Sequence, residues 1–126
     1  MIERTPSSLK VVVATGGFDP IHSGHIAYLE AAAKLGDILI VGINSDAWLT
    51  RKKGYPFMPV GERVAIVKAL KCVDHTVLFD DSDGSAIEAI HMLDFYIQTA
   101  RSSLVMVATE LYTTYLSKLH LRMTLQ

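Results

Sequence analysis

The chain has 126 residues, the size of one compact domain, and half of them are apolar while a fifth are charged, which excludes a disordered chain. Twelve Lys and Arg against thirteen Asp and Glu leave a net charge of −1, so neither a nucleic-acid face nor a polybasic membrane patch is expected, and the single cysteine, Cys72, excludes an internal disulfide framework and a multi-cysteine zinc site. No apolar run reaches the roughly 18–20 residues of a membrane span, and residues 1–10 lack the apolar core of a signal peptide, so a soluble, cytoplasmic setting is expected.

In chain order, Leu9 to Ala14 is a β-branched run that ends at Thr15-Gly16-Gly17 and predicts a buried strand. Ile26, Leu29, Ala32 and Ala33 recur at three- and four-residue steps, predicting a helix over Ser23 to Leu35 with Gly36 as its C-terminal cap. Asp37 to Ile43 predicts a second buried strand. Asn44, Ser45 and Asp46 offer cap chemistry for a short helix through Leu49. Arg51 to Pro59, with one glycine and two prolines, predicts a basic loop. A helix over Val60 to Leu70 and a strand over Val73 to Phe79 follow. Then come a turn at Asp80 to Gly84, a helix from Ser85 to Leu93 and a fourth strand at Phe95 to Ile97. Strands alternating with helices predict an α/β fold with a Rossmann-like parallel sheet, whose ligand sits at the carboxyl ends of the strands.

The first strand runs into Gly16 to His25, GGFDPIHSGH. Two glycines suit a sharp turn and a close backbone approach, and Pro20 stiffens the loop. His22 and His25, three apart at a helix start, can project to one side. Added to the free N–H groups of a helix N-terminus, they suit a phosphate or charge developing on phosphorus. No metal site is expected, because zinc pairs on helices commonly use four-residue spacing with a further ligand, and His75 and His91 supply no such pattern. Asp46 and Trp48 read as cap and packing residues, Cys72 as a small core residue, and Asp80, Asp81 and Asp83 as solvated turn acids.

GGFDPIHSGHIAYLEAAAKLGDILIVGINSD resembles the opening of the HxGH nucleotidyltransferases, the cytidylyltransferase-like family, and RKKGYPFMPVGERVAIVKALKCVDHTVLF resembles its lysine loop, ER motif and following strand. The similarity runs from about Lys10 to Ile97 of a single domain and is nearest to the glycerol-3-phosphate cytidylyltransferase and heptose-1-phosphate adenylyltransferase branch. The resemblance implies transfer of CMP or AMP from CTP or ATP to a small phosphorylated substrate, with release of pyrophosphate. It implies that His22 and His25 stabilise the transition state, that Gly16, Gly17 and Phe18 cradle the nucleotide, and that Asp19 lies near the attacking substrate. Lys52 or Lys53 would reach the β- and γ-phosphates, and Arg63 would bind phosphate or brace the lysine loop. Mg²⁺ would arrive with the triphosphate, and a homodimer is expected by analogy.

After Ile97 the pattern departs. No glycine or proline occurs from Ser85 to Gln126, whereas the family continues with a glycine-containing loop. Leu111, Tyr115, Leu119 and Met123 fall four apart and predict an amphipathic helix. A shifted reading frame over Val105 to Glu110 permits Asn-Gly-Gly-Asp-Arg, which resembles the missing loop. The divergent segment 98–126 therefore predicts weak or absent turnover, and the alternatives to the transferase are a catalytically impaired nucleotide-binding relative or another HxGH adenylyltransferase.

Overall fold

A computed structural model of the chain describes residues 10–83 and the backbone of 103–108. Strand β1 (Lys10–Gly16) leads to helix α1 (Ser23–Ala33), strand β2 (Ile38–Ile43), helices α2 (Asp46–Lys53) and α3 (Val60–Lys68), and strand β3 (His75–Leu78). Strand β4 (Ser103–Ala108) completes a four-stranded sheet of order β3-β2-β1-β4. Every pairing is parallel. The apolar run VVVA is buried throughout, as a strand covered on both faces requires.

Alternation divides the core. Val12, Ala14, Leu39, Val41 and Ile43 pack with Tyr28, Leu29 and Ala32 of α1 and Val67 of α3. Val11, Val13 and Ile40 form a second cluster with Ile38 and Val77, from the opposite side chains of the same strands. Two carboxylates fasten the sheet from below. Asp37 Oδ2 accepts from the Lys10 N–H at 2.8 Å, and Asp74 Oδ2 accepts from the Leu39 N–H at 2.8 Å.

Gly36 does not cap α1 by a left-handed turn. The cap is Lys34, in right-handed helical geometry, and Gly36 is required by proximity instead: a Cβ there would meet the Lys10 carbonyl oxygen and Val12 Cγ2, each at 2.7 Å. The basic stretch Arg51 to Lys53 is the last turn of α2 rather than loop, where its charges complement the helix dipole. The left-handed cap is Gly54, at φ +97°. The expected helix at Ser85 to Leu93, strand at Phe95 to Ile97 and helix through Leu111 to Met123 lie outside the described residues. Ser103–Ala108, inside the segment read as divergent, is a strand paired with β1.

Register decides where a ligand can sit. Gly16 pairs with Ile43 at the carboxyl ends of β1 and β2, and the Asn44 N–H extends the ladder to the Gly16 carbonyl at 2.9 Å. The turn after β1 and the start of α2 therefore emerge side by side.

Candidate functional site

The turn after β1 is tight in an unexpected place. The positive φ belongs to Phe18, at +54°, rather than to either glycine. A bulky residue in this region carries backbone strain, and here burial of the ring holds it: Phe18 is 2 % exposed and sets its ring edge-on to His25 at 5.2 Å. Gly17 serves a close approach, because a Cβ would lie 2.9 Å from Leu49 Cδ2.

The two histidines face each other with ring centroids 4.1 Å apart. His22 is the N-cap of α1 and His25 lies in its first turn. His22 Nδ1 accepts the Gly24 N–H at 3.0 Å, and His25 Nδ1 accepts the His22 N–H at 3.2 Å. Two of the backbone donors expected to meet an anion are thus taken by the imidazoles themselves. An Nδ1 that accepts from an N–H carries no proton, so each ring's own donor is Nε2–H. Burial, and then the neighbouring His22, hold His25 below its ordinary pKa, which favours that neutral form. The motif's glycine has a physical reason as well: a Cβ at Gly24 would lie 2.8 Å from His22 Cε1 and push the ring out of its cap.

Asp19 acts as a latch. Its side chain is 1 % exposed and accepts from the Phe57 N–H at 2.6 Å, the Met58 N–H at 2.5 Å and Lys53 Nζ at 2.8 Å. Burial pushes its pKa up, but Lys53 and the two N–H groups outweigh that, and the carboxyl sits below its ordinary value. Lys53 also donates to the Asp19 carbonyl at 2.7 Å, so its ammonium is tied to the turn. Lys52 is held differently, with Nζ 4.7 Å from the centre of the Trp48 ring.

These groups line one cavity of about 420 Å³: Gly16, Gly17, Phe18, Asp19, His22 and His25 from the β1 side, Lys52 and Lys53 from α2. Pro20, Trp48 and Leu49 complete the wall. The cytidylyltransferase-like family model matches residues 13–125. The chain belongs to the cytidylyltransferase-like family. The match runs past Ile97, through the segment read as divergent.

The bifunctional protein HldE of Citrifermentans bemidjiense is 50% identical over 74 residues, 57% of this chain and 15% of that protein. The HldE of Helicobacter pylori is 45% identical over 80 residues, 62% of this chain and 17% of that protein. The matched stretch therefore spans less than a fifth of these relatives' length. Among solved structures, the lipopolysaccharide core biosynthesis protein from Thermoplasma volcanium GSS1 superposes with a TM-score of 0.60 and 28% identity, over 79% of this chain and 95% of that one.

In this cytidylyltransferase-like domain Arg63 stands apart from the cavity wall. It is fully buried, with Nε donating to the Met58 carbonyl at 2.9 Å. Nη1 donates to the carbonyls of Gly17 and Asn44 at 2.9 and 2.7 Å, and Nη2 pairs with Asp46 Oδ1 at 2.6 Å. Of the two roles expected for it, this geometry braces the glycine turn, the end of β2, α2 and the lysine loop, and presents no guanidinium to a phosphate.

Sequence reasoning missed three features. Trp48, read as packing, lines the cavity. Of the three cap candidates Asn44, Ser45 and Asp46, Ser45 is the cap of α2, with Oγ accepting the Trp48 N–H at 3.0 Å, and what went unread is that Asp46 pairs with Arg63. Asp81 is not a solvated turn acid. It is 3 % exposed and accepts from Asn44 Nδ2, the Ser45 N–H and Ser45 Oγ at 2.7–3.0 Å, while Arg51 Nη2 donates to its carbonyl at 2.8 Å. Only pairing in three dimensions separates Asp81 from exposed Asp80. Cys72 packs against the core as expected, and burial raises its thiol pKa. Among the described residues no group of three or more His, Cys, Asp or Glu could hold a metal, and no helix is long and apolar enough to cross a membrane.

Proposed function

We propose that this domain transfers a nucleotidyl group from ATP or CTP to a small phosphorylated substrate of the sugar-phosphate or glycerol-phosphate class. The observation that carries this reading is the pair of imidazoles, 4.1 Å apart with both Nδ1 atoms engaged, in a cavity that also holds two lysines. An oxygen of the acceptor phosphate attacks the α-phosphorus, the bond from that phosphorus to the bridging oxygen breaks, and pyrophosphate leaves. The Nε2–H donors of His22 and His25 meet the charge that grows on the α-phosphoryl and bridging oxygens. The donors are fixed before substrate arrives, so the reaction meets little reorganisation. Asp19, with its carboxylate committed to Lys53 and two N–H groups, orients the loop and is no base for the acceptor. Mg²⁺ would travel with the triphosphate: with Asp19 engaged and no carboxylate cluster among the described residues, the phosphate oxygens are its natural ligands.

Pyrophosphate release tests the reading, with ATP and CTP each offered against hexose, heptose, glycerol and ethanolamine phosphates. Release that depends on one acceptor class and is lost in His25→Ala is expected. A second reading, nucleotide binding without turnover, rests on the departure of the sequence after Ile97. Calorimetric binding of ATP or CTP with no pyrophosphate released under any pairing would favour it.

A further inference from the structure

Helix α2 brings Lys52 and Lys53 to the cavity, yet apolar packing does little to orient it. Of its eight residues only Leu49 is buried, whereas a helix whose rotation is set by the core carries apolar residues at three- and four-residue steps. Its last turn holds three successive cations, Arg51, Lys52 and Lys53. Neighbouring residues point about 100° apart around an α-helix, so rotation decides which of the three can meet a ligand. Lys52 and Lys53 line the cavity and Arg51 does not. Asp81, 3 % exposed, supplies the constraint that packing leaves out. Its Oδ2 accepts from the Ser45 N–H at 2.8 Å and from Asn44 Nδ2 at 3.0 Å, and its Oδ1 accepts from the Ser45 hydroxyl at 2.7 Å. Ser45 is the N-cap, so the carboxylate fixes where α2 begins. The carbonyl of the same residue accepts from Arg51 Nη2 at 2.8 Å. Ser45 and Arg51 lie about 9 Å apart along the axis, and the arginine spans that gap because helical side chains lean back towards the N-terminus.

We propose that Asp81 is a positioning residue for nucleoside triphosphate binding: its carboxylate sets the start of α2, its carbonyl sets the helix's rotation through Arg51, and together they keep Lys52 and Lys53 on the cavity side. The role rests on the transferase reading above and deepens it, because Asp81 touches no ligand and acts through the helix alone. The other polar ties of α2 each hold one end. Asp46 binds Arg63 in the first turn, and Lys53 binds Asp19 in the last. Asp81 reaches both ends, so it couples the helix's position to its rotation. An acid at this place is otherwise unfavourable, since a negative charge near the cavity repels a polyanion. The structure offsets that repulsion by committing the carboxylate to three donors.

The sign of the effect separates positioning from charge. Asp81→Asn keeps the shape and removes one negative charge, which by electrostatics alone would tighten a triphosphate. An amide presents one acceptor oxygen to the three converging donors, so the proposal expects the reverse: calorimetric affinity for ATP or CTP falls at least tenfold at an unchanged stoichiometry near one. Asp80→Asn is the charge control. Its carboxylate is exposed and accepts from the Ser82 N–H at 3.0 Å, and the variant should bind within twofold of the parent or more tightly. A second readout needs no nucleotide. The chain's one tryptophan, Trp48, sits on α2, so its near-ultraviolet circular dichroism reports how the helix is set. Asp81→Asn should lose at least half of that band while the far-ultraviolet spectrum stays native. Arg51→Met, at an exposed side chain, frees the carbonyl end alone and should weaken the same band; it decides the matter if the buried variant does not fold. A folded Asp81→Asn chain that binds as tightly as Asp80→Asn would overturn the role, and so would an Arg51→Met chain with the parent's tryptophan band. A parent chain that binds neither nucleotide sinks the transferase reading and this role with it, whereas a parent that binds, with Asp81→Asn unchanged, sinks the role alone.

Discussion

His25 has two tasks that a single substitution can separate. Its Nδ1 closes the cap with the His22 N–H, and its Nε2–H is left as the ring's hydrogen-bond donor. Removing one preorganised donor of this kind typically costs about 100–1,000-fold in kcat. His25→Ala should lose that much in a pyrophosphate-release assay while its circular dichroism stays native. Gly24→Ala probes the same cap from the other side. The new methyl displaces the His22 ring, so turnover should fall at least tenfold. Thermal stability should stay within about 1 kcal/mol of the parent, since alanine is the better helix former. Acid acts here as well. The folded pKa of His25 lies below its ordinary 6.5, so the unfolded chain takes up this proton first. The stability linked to His25 is complete above about pH 6.5 and is lost as pH falls through the lower folded value. Urea midpoints measured from pH 8 to 5 should decline only below that threshold, and His25→Asn should flatten the decline. The pairing of the two histidines was legible in the sequence from their spacing. Their mutual capping was not, because an imidazole is not a usual cap and only the dihedral of His22 turns it into one.

Between elements, Arg63 is the tie. Its four hydrogen bonds join segments that are up to 46 positions apart in sequence, and three of the acceptors are backbone carbonyls that have no side-chain identity to read. That is why the sequence places an arginine beside a glutamate on a helix and cannot tell a phosphate ligand from a brace. Arg63→Met keeps the buried stem and removes the guanidinium. It should cost about 1–3 kcal/mol, read as a lower denaturant midpoint at unchanged m-value, since the buried Asn44 carbonyl loses its donor while Asp46 is left half-exposed. The Asp19 latch is more sensitive to solvent. Asp19→Asn should loosen residues 54–59, raise susceptibility to proteolysis there, and release Lys53 from the turn.

For the whole molecule, the parallel sheet and the burial of VVVA and ILIVGI followed from apolar runs bounded by glycine and helix signals, whereas the strand order did not. Elements formed by local pattern were readable. What escaped were consequences of packing: the tryptophan turned into the cavity, the carboxylate of Asp81 turned inward, and a strand at Ser103–Ala108, whose apolar run SLVMVA lies in a segment without the glycine and proline signals that bound the other strands. A ligand that binds only the folded chain stabilises it by about 2.7 kcal/mol at one hundred times its Kd. ATP or CTP at that excess should therefore raise Tm by roughly 10 °C for a domain of this size, and the nucleotide giving the larger rise identifies the donor.

The buried Asp81 carboxylate has a kinetic corollary. It holds Asn44 and Ser45, and Ser45 in turn caps α2, so Asp81 ties the segment after β3 to the start of the helix that carries Trp48, Lys52 and Lys53. Backbone amides near 45–50 and their counterparts near 80–83 then open in a single event rather than two. Deuterium uptake at both stretches should share one rate, and ligands gripped by α2 should slow exchange at the far stretch that they never touch.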